Sequence, residues 1–213
     1  HDLMTPAGII KGFTEQLIYE PSFEERDLAI RKIYENINRL IELLDSATKL
    51  SKLERVEEIS FEEIDIVPIF IMVAENLQIE AEGKRQEIVI NKNSSCPAKV
   101  NPIIEEVFTN LLSNAIKYSP EKSKINIDFL DEINYWKVIV KDHGDGVSDI
   151  EKAFIFDRFR RADKKGIKGS GLGLAIVKRV IELHEGNYGI EDNPEGQGSV
   201  FWVMIRKARK ESV

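Results

Sequence analysis

The hydrophobic and polar positions follow two different patterns, and the change between them lies near residue 57. Before that point the apolar residues recur at alternating steps of three and four, the 3.5-residue period of helices that wrap around one another. The longer of two predicted helices carries this stripe at Ile30, Ile33, Ile37, Leu40, Leu44 and Ala47, extended by Leu50 and Leu53. The shorter helix repeats the pattern at Leu3, Ile10 and Leu17. Because Pro21 interrupts the helical pattern, the sequence predicts an N-terminal helical hairpin.

The apolar stripes of such a hairpin need a second layer to cover them. A second copy of the chain supplies one, and the result is a dimeric four-helix bundle around a two-fold axis. The alternative is that the stripes pack against the C-terminal part of the same chain. We expect the dimer, and the pattern alone leaves both arrangements open.

After residue 57 short strand-like and helix-like segments alternate. Helices are predicted over residues 65–82, 102–118 and 172–185, with Asp65 as the N-cap of the first and Gly83 at its end. Strands are predicted over 87–91, 124–130 and 135–141, and two more flank the turn at 194–198. Residues 142–170 are predicted to form a loop. This order indicates an α+β fold whose sheet carries helices on one face.

Composition and charge narrow the possible partners. The chain has 213 residues and a net charge of −7, so its surface as a whole is a poor match for nucleic acid. Cys96 is the only cysteine, which excludes an intrachain disulfide and fits a reducing, cytoplasmic compartment. No apolar run is long enough for a membrane span. Since the chain opens at His1 without a Met, we expect a piece of a longer protein that meets a membrane only through upstream segments.

Three polar residues share one face of the predicted helix 102–118. Asn110, Asn114 and Lys117 stand at i, i+4 and i+7, among apolar neighbours. Amide oxygens can ligate a hard cation such as Mg²⁺, and an ammonium group can bind phosphate oxygens. A solvated polar face is the alternative interpretation of this spacing.

Two glycine motifs flank the predicted loop. Asp142, Gly144 and Gly146 follow a strand, where a fixed carboxylate and close-passing backbone suit a flat ligand with an amino group. Gly169, Gly171 and Gly173 run into a helix, whose free N–H groups suit a phosphate. No strand precedes this second motif, which excludes a dinucleotide-binding fingerprint.

Between the glycine motifs the chain is basic, with six Lys and Arg residues from 158 to 168. A solvated surface is the ordinary explanation of a charge run, but this position favours a lid that neutralises phosphates. Phe154, Phe156 and Phe159 are expected to anchor the lid to the sheet. At the other end of the chain, His1 and Asp2 lie one turn before Thr5. A carboxylate that bonds one imidazole nitrogen leaves the other basic enough to attack phosphorus.

The order of these motifs resembles the sensor histidine kinases of two-component systems, over nearly the whole chain. Residues 1–6 resemble the family's H box, 110–118 its N box, 142–146 its first glycine box, 156–159 its F box and 169–176 its second glycine box. The resemblance implies a dimerisation and phosphotransfer domain over residues 1–57. It further implies a catalytic ATP-binding domain over residues 58–213. This domain is expected to be an α/β sandwich with a mixed sheet, of the type shared with the Hsp90, gyrase and MutL ATPases.

The resemblance also implies a role for each matched residue. Asn114 is expected to ligate Mg²⁺, with Asn110 close to the metal and the phosphates. Lys117 and Tyr118 are expected along the phosphates of ATP, and Asp142 on the adenine amino group. The remaining matched residues are expected to shape the base pocket or close on the triphosphate: Gly144, Gly146, Arg161, Gly169, Gly171, Gly173 and Leu174.

The implied activity is autophosphorylation of His1 by Mg-ATP, followed by transfer to an aspartate of a response regulator. Asp2 and Thr5 also match the pattern for dephosphorylating that regulator. The related ATPases carry a water-activating glutamate where this chain has Asn110, and an amide cannot serve as that base. Steady ATP hydrolysis and a kinase-inactive scaffold remain the alternatives. The sequence departs from the family pattern at three positions. Asp2 stands where Glu is usual, Met4 where Arg is frequent, and Arg160 where Tyr is common.

Overall fold

A computed structural model describes residues 3–19, 21–91, 95–160 and 170–208. The chain begins with two antiparallel helices, α1 (Met4–Ile18) and α2 (Phe23–Glu54). Ser22 starts α2 through a capping box, in which its Oγ accepts from the N–H of Glu25 at 3.3 Å and the Glu25 carboxylate accepts from the N–H of Ser22 at 2.9 Å. The predicted hairpin is confirmed.

The remainder is built from seven strands and four helices in the described ranges. The strands are β1 (Glu62–Asp65), β2 (Glu87–Asn91), β3 (Pro97–Val100), β4 (Lys124–Asp131), β5 (Tyr135–Lys141), β6 (Asn187–Asp192) and β7 (Ser199–Arg206). The helices are α3 (Ile66–Gly83), α4 (Ile104–Tyr118), α5 (Asp149–Lys152) and α6 (Gly173–Leu183). Asp65 caps α3 as predicted, because its Oδ1 accepts from the N–H of Val67 at 3.1 Å.

Five of these strands form one mixed sheet in the order β2-β4-β5-β7-β6. The β2–β4 pair is parallel and the other pairs are antiparallel. Burial alternates along the central strands, so Ile125, Ile127, Val138 and Val203 lie beneath α3, α4 and α6 on one face of the sheet. An α+β fold with a mixed sheet and helices on one face is therefore confirmed.

Aromatic and aliphatic side chains fill the space between helices and sheet. The ring centroid of Phe70 on α3 is 4.9 Å from that of Phe108 on α4 and 5.8 Å from that of Phe129 on β4. His184 closes one end of this core, with its Nε2 accepting from the N–H of Asn101 at 3.0 Å. These contacts fix the angle of α4, the helix on which the predicted amide face lies.

The apolar stripe of α2 divides into two parts. Leu50 and Leu53 are buried in the same core as the sheet. Ile30, Ile37 and Leu44 are 54%, 42% and 53% exposed, so the described chain leaves about half of each side chain uncovered. The C-terminal end of the stripe therefore packs within the chain, whereas its middle is only partly covered.

Polar contacts hold the end of α2 against the sheet-bearing part. The guanidinium of Arg179 on α6 donates to the carbonyl oxygens of Leu53 at 3.2 Å and Val56 at 2.6 Å. Lys49 on α2 forms an ion pair with Glu106 on α4 at 2.7 Å. Of the described helices, none has the length and apolar character to cross a membrane.

Three short elements lie where no element was predicted. β1 and β3 form a separate antiparallel pair, and α5 occupies part of the predicted loop 142–170. All three are four residues long, too short for a periodic pattern to stand out from the flanking sequence.

Candidate functional site

A cavity of about 300 Å³ opens between α4, the turn after β5 and the start of α6. This volume is at the lower end of the range for small-molecule sites. Its lining includes ten of the residues predicted from the sequence: Asn110, Asn114, Lys117, Tyr118, Asp142, Gly144, Gly146, Gly171, Gly173 and Leu174. Segments more than 60 residues apart in sequence thus meet in one place.

α4 supplies the polar wall of the cavity. Its opposite face is apolar and buried in the core, which turns Asn110, Asn114 and Lys117 toward the opening. The Nδ2 of Asn110 donates to the Glu106 carbonyl at 2.7 Å, so the amide is anchored to its own helix. A Cβ atom on Gly173 would lie 2.5 Å from Oδ1 of Asn110, so only glycine lets α6 approach this amide so closely.

The turn after β5 supplies a buried carboxylate. Asp142 is 4% exposed, and its Oδ1 accepts from the N–H groups of Gly144 at 2.9 Å and Ser199 at 3.0 Å. Its own N–H donates to the Ser199 carbonyl at 2.9 Å. Hydrogen bonds from Gly144 and from Ser199 therefore fix the carboxylate. This carboxylate is the acceptor that was predicted from the sequence for an amino group.

The first turn of α6 supplies backbone donors. No side chain caps this helix, whose first residue is Gly173, and Gly171, Gly173 and Leu174 line the cavity. The N–H groups and the positive end of the helix dipole suit an anion. The carbonyl of Gly171 accepts from the N–H of Phe159 at 2.9 Å, which joins this turn to the F-box segment.

The remaining predicted residues lie outside the cavity or outside the described chain. Thr5 is exposed on the first turn of α1. His1, Asp2, Arg161 and Gly169 lie outside the described residues, and their predicted roles stay predictions.

Sequence reasoning missed several residues of the cavity wall. Ser113 and Val147 lie directly beside predicted residues, so the same spacing argument could have found them. Ser199 and Phe201 come from β7, and Glu42 and Ser46 come from α2. Nothing in the sequence pattern connects these distant segments with the nucleotide motifs.

The expectation for the three phenylalanines is wrong in one case. Phe156 is buried, with its ring centroid 4.7 Å from that of Tyr188 and 6.4 Å from that of Phe201. Phe159 is 55% exposed, so its ring is not buried against the sheet. Arg160, one of the six basic residues predicted to form the lid, lines the cavity.

Comparison with known proteins agrees with this geometry. Residues 100–209 match the family model described as "Histidine kinase-, DNA gyrase B-, and HSP90-like ATPase". The chain belongs to this ATPase family. The matched residues include α4, both described glycine motifs and the last two strands, so the family segment carries most of the cavity wall.

Curated relatives extend the likeness to the helical hairpin of this family member. The chain is 32% identical to the sensor histidine kinase WalK of Bacillus subtilis, over 96% of this chain and 35% of WalK. It is 26% identical to the heme sensor protein HssS of Staphylococcus saprophyticus, over 99% of this chain and 45% of HssS. The resemblance to sensor histidine kinases is confirmed. The chain spans less than half the length of each of these two proteins.

Solved structures share the fold of this family member. Histidine kinase AdeS of Acinetobacter baumannii superposes with a TM-score of 0.76 at 22% identity, covering 98% of both chains. Histidine kinase ThkA, solved in complex with response regulator protein TrrA, superposes with a TM-score of 0.83 at 22% identity, covering 98% of this chain and 59% of that one. Hairpin and sheet together therefore form a fold already seen in histidine kinases.

Proposed function

We propose that this chain is the catalytic part of a sensor histidine kinase, which phosphorylates its own His1 from Mg-ATP. The observation that carries the proposal is the single cavity in which the amides of α4, the Asp142 carboxylate and the start of α6 converge. In this proposal residues 1–57 form the dimerisation and phosphotransfer domain and residues 58–213 the ATP-binding domain. We further propose that the protein works in the cytoplasm.

ATP fits the chemistry of the cavity from end to end. Asp142 offers a fixed acceptor for the adenine amino group, with Gly144 and Gly146 beside it. Lys117 and Tyr118 lie on α4, about one turn beyond Asn114, and would bind phosphate oxygens. Backbone N–H groups at the start of α6 would bind the same phosphates. Arg161 and Gly169 are proposed to close over them.

The two asparagine side chains on α4 also suit a Mg²⁺ ion that is bound together with the nucleotide. Asn114 and Asn110 would hold it through their amide oxygens, the kind of ligand that a hard cation prefers. Bound there, Mg²⁺ would offset the negative charge of the phosphates. The fixed Asn110 amide, anchored at 2.7 Å to Glu106, supports this placement because one of its two polar atoms is committed to the helix.

Asn110 favours a kinase over a steady ATPase. Hydrolysis needs a base that removes a proton from water, and a neutral amide cannot do so. In the proposed reaction Nε2 of His1 attacks the γ-phosphorus of ATP. The new N–P bond forms as the bond to the bridging oxygen breaks, and ADP leaves with that electron pair. Asp2 would hold the other ring nitrogen and stabilise the positive charge on the imidazole.

The partly exposed apolar stripe on α2 supports a homodimer. Ile30, Ile37 and Leu44 would be covered by the same stripe of a second copy in a four-helix bundle. Light scattering tests this directly. Replacing Ile37 and Leu44 together by Glu is expected to give monomers, whereas Glu at the already exposed Ile133 is expected to leave the dimer unchanged.

A response regulator is the proposed acceptor of the phosphoryl group, as a relative with this fold was solved with such a partner. It would dock on the hairpin near His1 and take the group onto its own aspartate. We also propose that Thr5, with Asp2, places a water against that phosphoaspartate. The Thr5→Ala variant is expected to keep autophosphorylation and lose dephosphorylation of the regulator. Unchanged dephosphorylation would refute the role of Thr5.

The decisive test of kinase function uses ATP labelled at the γ-phosphate. We expect acid-labile, alkali-stable label on the chain, and its loss in His1→Gln. The chain has three histidines, so His143→Gln is a matched control that should keep the label. The ring of His143 bonds to the carbonyl of Lys124 at 2.8 Å, outside the lining of the cavity.

Two other outcomes would contradict the proposal. Equal release of free phosphate by the wild type and His1→Gln, with no labelled chain, would indicate a steady ATPase. Absence of nucleotide binding would indicate a scaffold that serves a regulator without catalysis.

A further inference from the structure

The Asp142 turn is held from outside by the turn that joins β6 to β7. Asn193 opens that joining turn and is 4% exposed, although its side chain is polar. Its Nδ2 donates to the backbone carbonyl of Asp142 at 3.0 Å. Its Oδ1 accepts from the N–H of Glu195 at 2.9 Å, and its own N–H donates to the carbonyl of Gly198 at 3.1 Å. The side-chain amide of Asn193 thus connects the two turns, and it also stabilises the β6–β7 turn through its bond to Glu195.

The two turns touch through their backbones at the same place. Gly198 has a φ of +130°, and a Cβ there would overlap the carbonyl oxygen of Asp142. The next residue, Ser199, bonds both the N–H and the Oδ1 of Asp142, at 2.9 and 3.0 Å. Residues 193–199 therefore hold Asp142 through several bonds, and Asn193 provides the side-chain bond to its backbone carbonyl.

We propose that Asn193 is a positioning residue that sets the base specificity of the pocket, acting through Asp142. The inference rests on the proposed function, in which Asp142 accepts a hydrogen bond from the adenine amino group. Guanine presents a carbonyl oxygen at the corresponding position, and two acceptors repel each other. A carboxylate rejects guanine only while it cannot turn away, so the bond from Asn193 is expected to matter for discrimination more than for stability.

The substitution Asn193→Asp removes this bond. Aspartate has the same shape and keeps the acceptor for the N–H of Glu195, but it loses the donor to the carbonyl of Asp142. Asn193→Ala is a second variant, which removes the donor without adding charge. Gln197→Ala is the matched control, since Gln197 belongs to the same turn and its amide donates to Asp145, at 3.4 Å, rather than to Asp142.

The experiment measures the dissociation constants of Mg-ATP and Mg-GTP by calorimetry, together with the melting temperature. We expect the wild type and Gln197→Ala to prefer ATP. Both Asn193 variants are expected to reduce the ratio of the GTP to the ATP constant by about tenfold, the size of one lost hydrogen bond. A merely structural role would raise both constants in parallel and leave the ratio unchanged.

The outcomes distinguish failure of the positioning role of Asn193 from failure of the role proposed for Asp142. If the wild type binds ATP in preference to GTP and both Asn193 variants keep its ratio, the positioning role is overturned. If the wild type binds neither nucleotide, or does not distinguish them, the role proposed for Asp142 itself is wrong.

Discussion

The contact between Gly173 and Asn110 allows a sharp test of how the two sides of the cavity depend on each other. Replacing Gly173 by Ala adds one methyl group, which would lie 2.5 Å from Oδ1 of Asn110 and 3.4 Å from its Cγ. Overlap at that distance forces the amide to rotate or shift. The backbone of Gly173 itself needs no unusual conformation, because this position does not have a positive φ.

The expected effect on stability is small. Alanine in place of glycine favours a helix by about 0.5–1 kcal/mol. Moving Asn110 breaks its 2.7 Å bond to the carbonyl of Glu106, which costs about 0.5–1.5 kcal/mol. These terms oppose each other, so the free energy of unfolding should change by less than about 1 kcal/mol.

The expected effect on nucleotide binding is large. If Asn110 lies close to the metal and phosphates, displacing its oxygen removes a bond to a charged group, worth about 1.5–3 kcal/mol. That corresponds to roughly 10- to 100-fold weaker binding of Mg-ATP. The loss should shrink when Mg²⁺ is chelated, because the displaced oxygen then has no cation to meet.

The assay is a titration of Mg-ATP, repeated with ATP and a chelator, alongside urea unfolding. Gly83→Ala is the matched control, since Gly83 also lies in a helix and a Cβ there meets nothing within 4 Å. Mg-ATP binding by Gly173→Ala that equals the control would refute the reasoning. A loss of the same size with and without Mg²⁺ would remove Asn110 from the neighbourhood of the metal.

Two further predictions concern stability. Burial lowers the pKa of His184, whose Nε2 must stay unprotonated to accept the 3.0 Å bond from Asn101. The unfolded chain therefore binds the proton more readily. Stability should be constant above the ordinary pKa of about 6.5 and fall below it, by at most about 1.4 kcal/mol per pH unit. Urea unfolding at several pH values measures this, and an equal slope in His184→Gln would contradict it. Gln86 is buried, and its Nε2, which carries two N–H donors, lies within hydrogen-bond distance of three carbonyl oxygens at and just after the end of α4, at 3.0–3.1 Å. Gln86→Met should lower the free energy of unfolding by about 2–3 kcal/mol, and a change below about 0.5 kcal/mol would show that water replaces the amide.

The part of the site that follows from local spacing could be predicted from the sequence. Asn110, Asn114 and Lys117 share a face because the helical period places them there, whatever the rest of the chain does. Gly171 and Gly173 stand at the start of a helix, so their backbone donors could be anticipated in the same way. A sheet with helices on one face also followed from the order of strand-like and helix-like segments, and burial along β4 and β5 has the period of two expected of such strands.

The part that depends on distant packing could not be predicted. Glu42 reaches the cavity only because Leu50 and Leu53 bury the end of α2 beside α6. Asn193 reaches Asp142 only because β7 pairs with β5. Phe159 resembles an anchor in sequence, but more than half of its side chain is exposed. Each of these positions depends on how segments far apart in the sequence pack together. A single sequence carries no periodic signal for such packing.

The presence of Glu42 and Ser46 in the cavity wall has a consequence for inhibitor design. These two side chains belong to the helical hairpin, whereas the rest of the lining belongs to the sheet-bearing part. A small molecule that spans from Asp142 to Ser46 would contact both parts at once. Its affinity would therefore depend on the position of the hairpin, and its binding would favour the arrangement in which Ser46 lines the cavity.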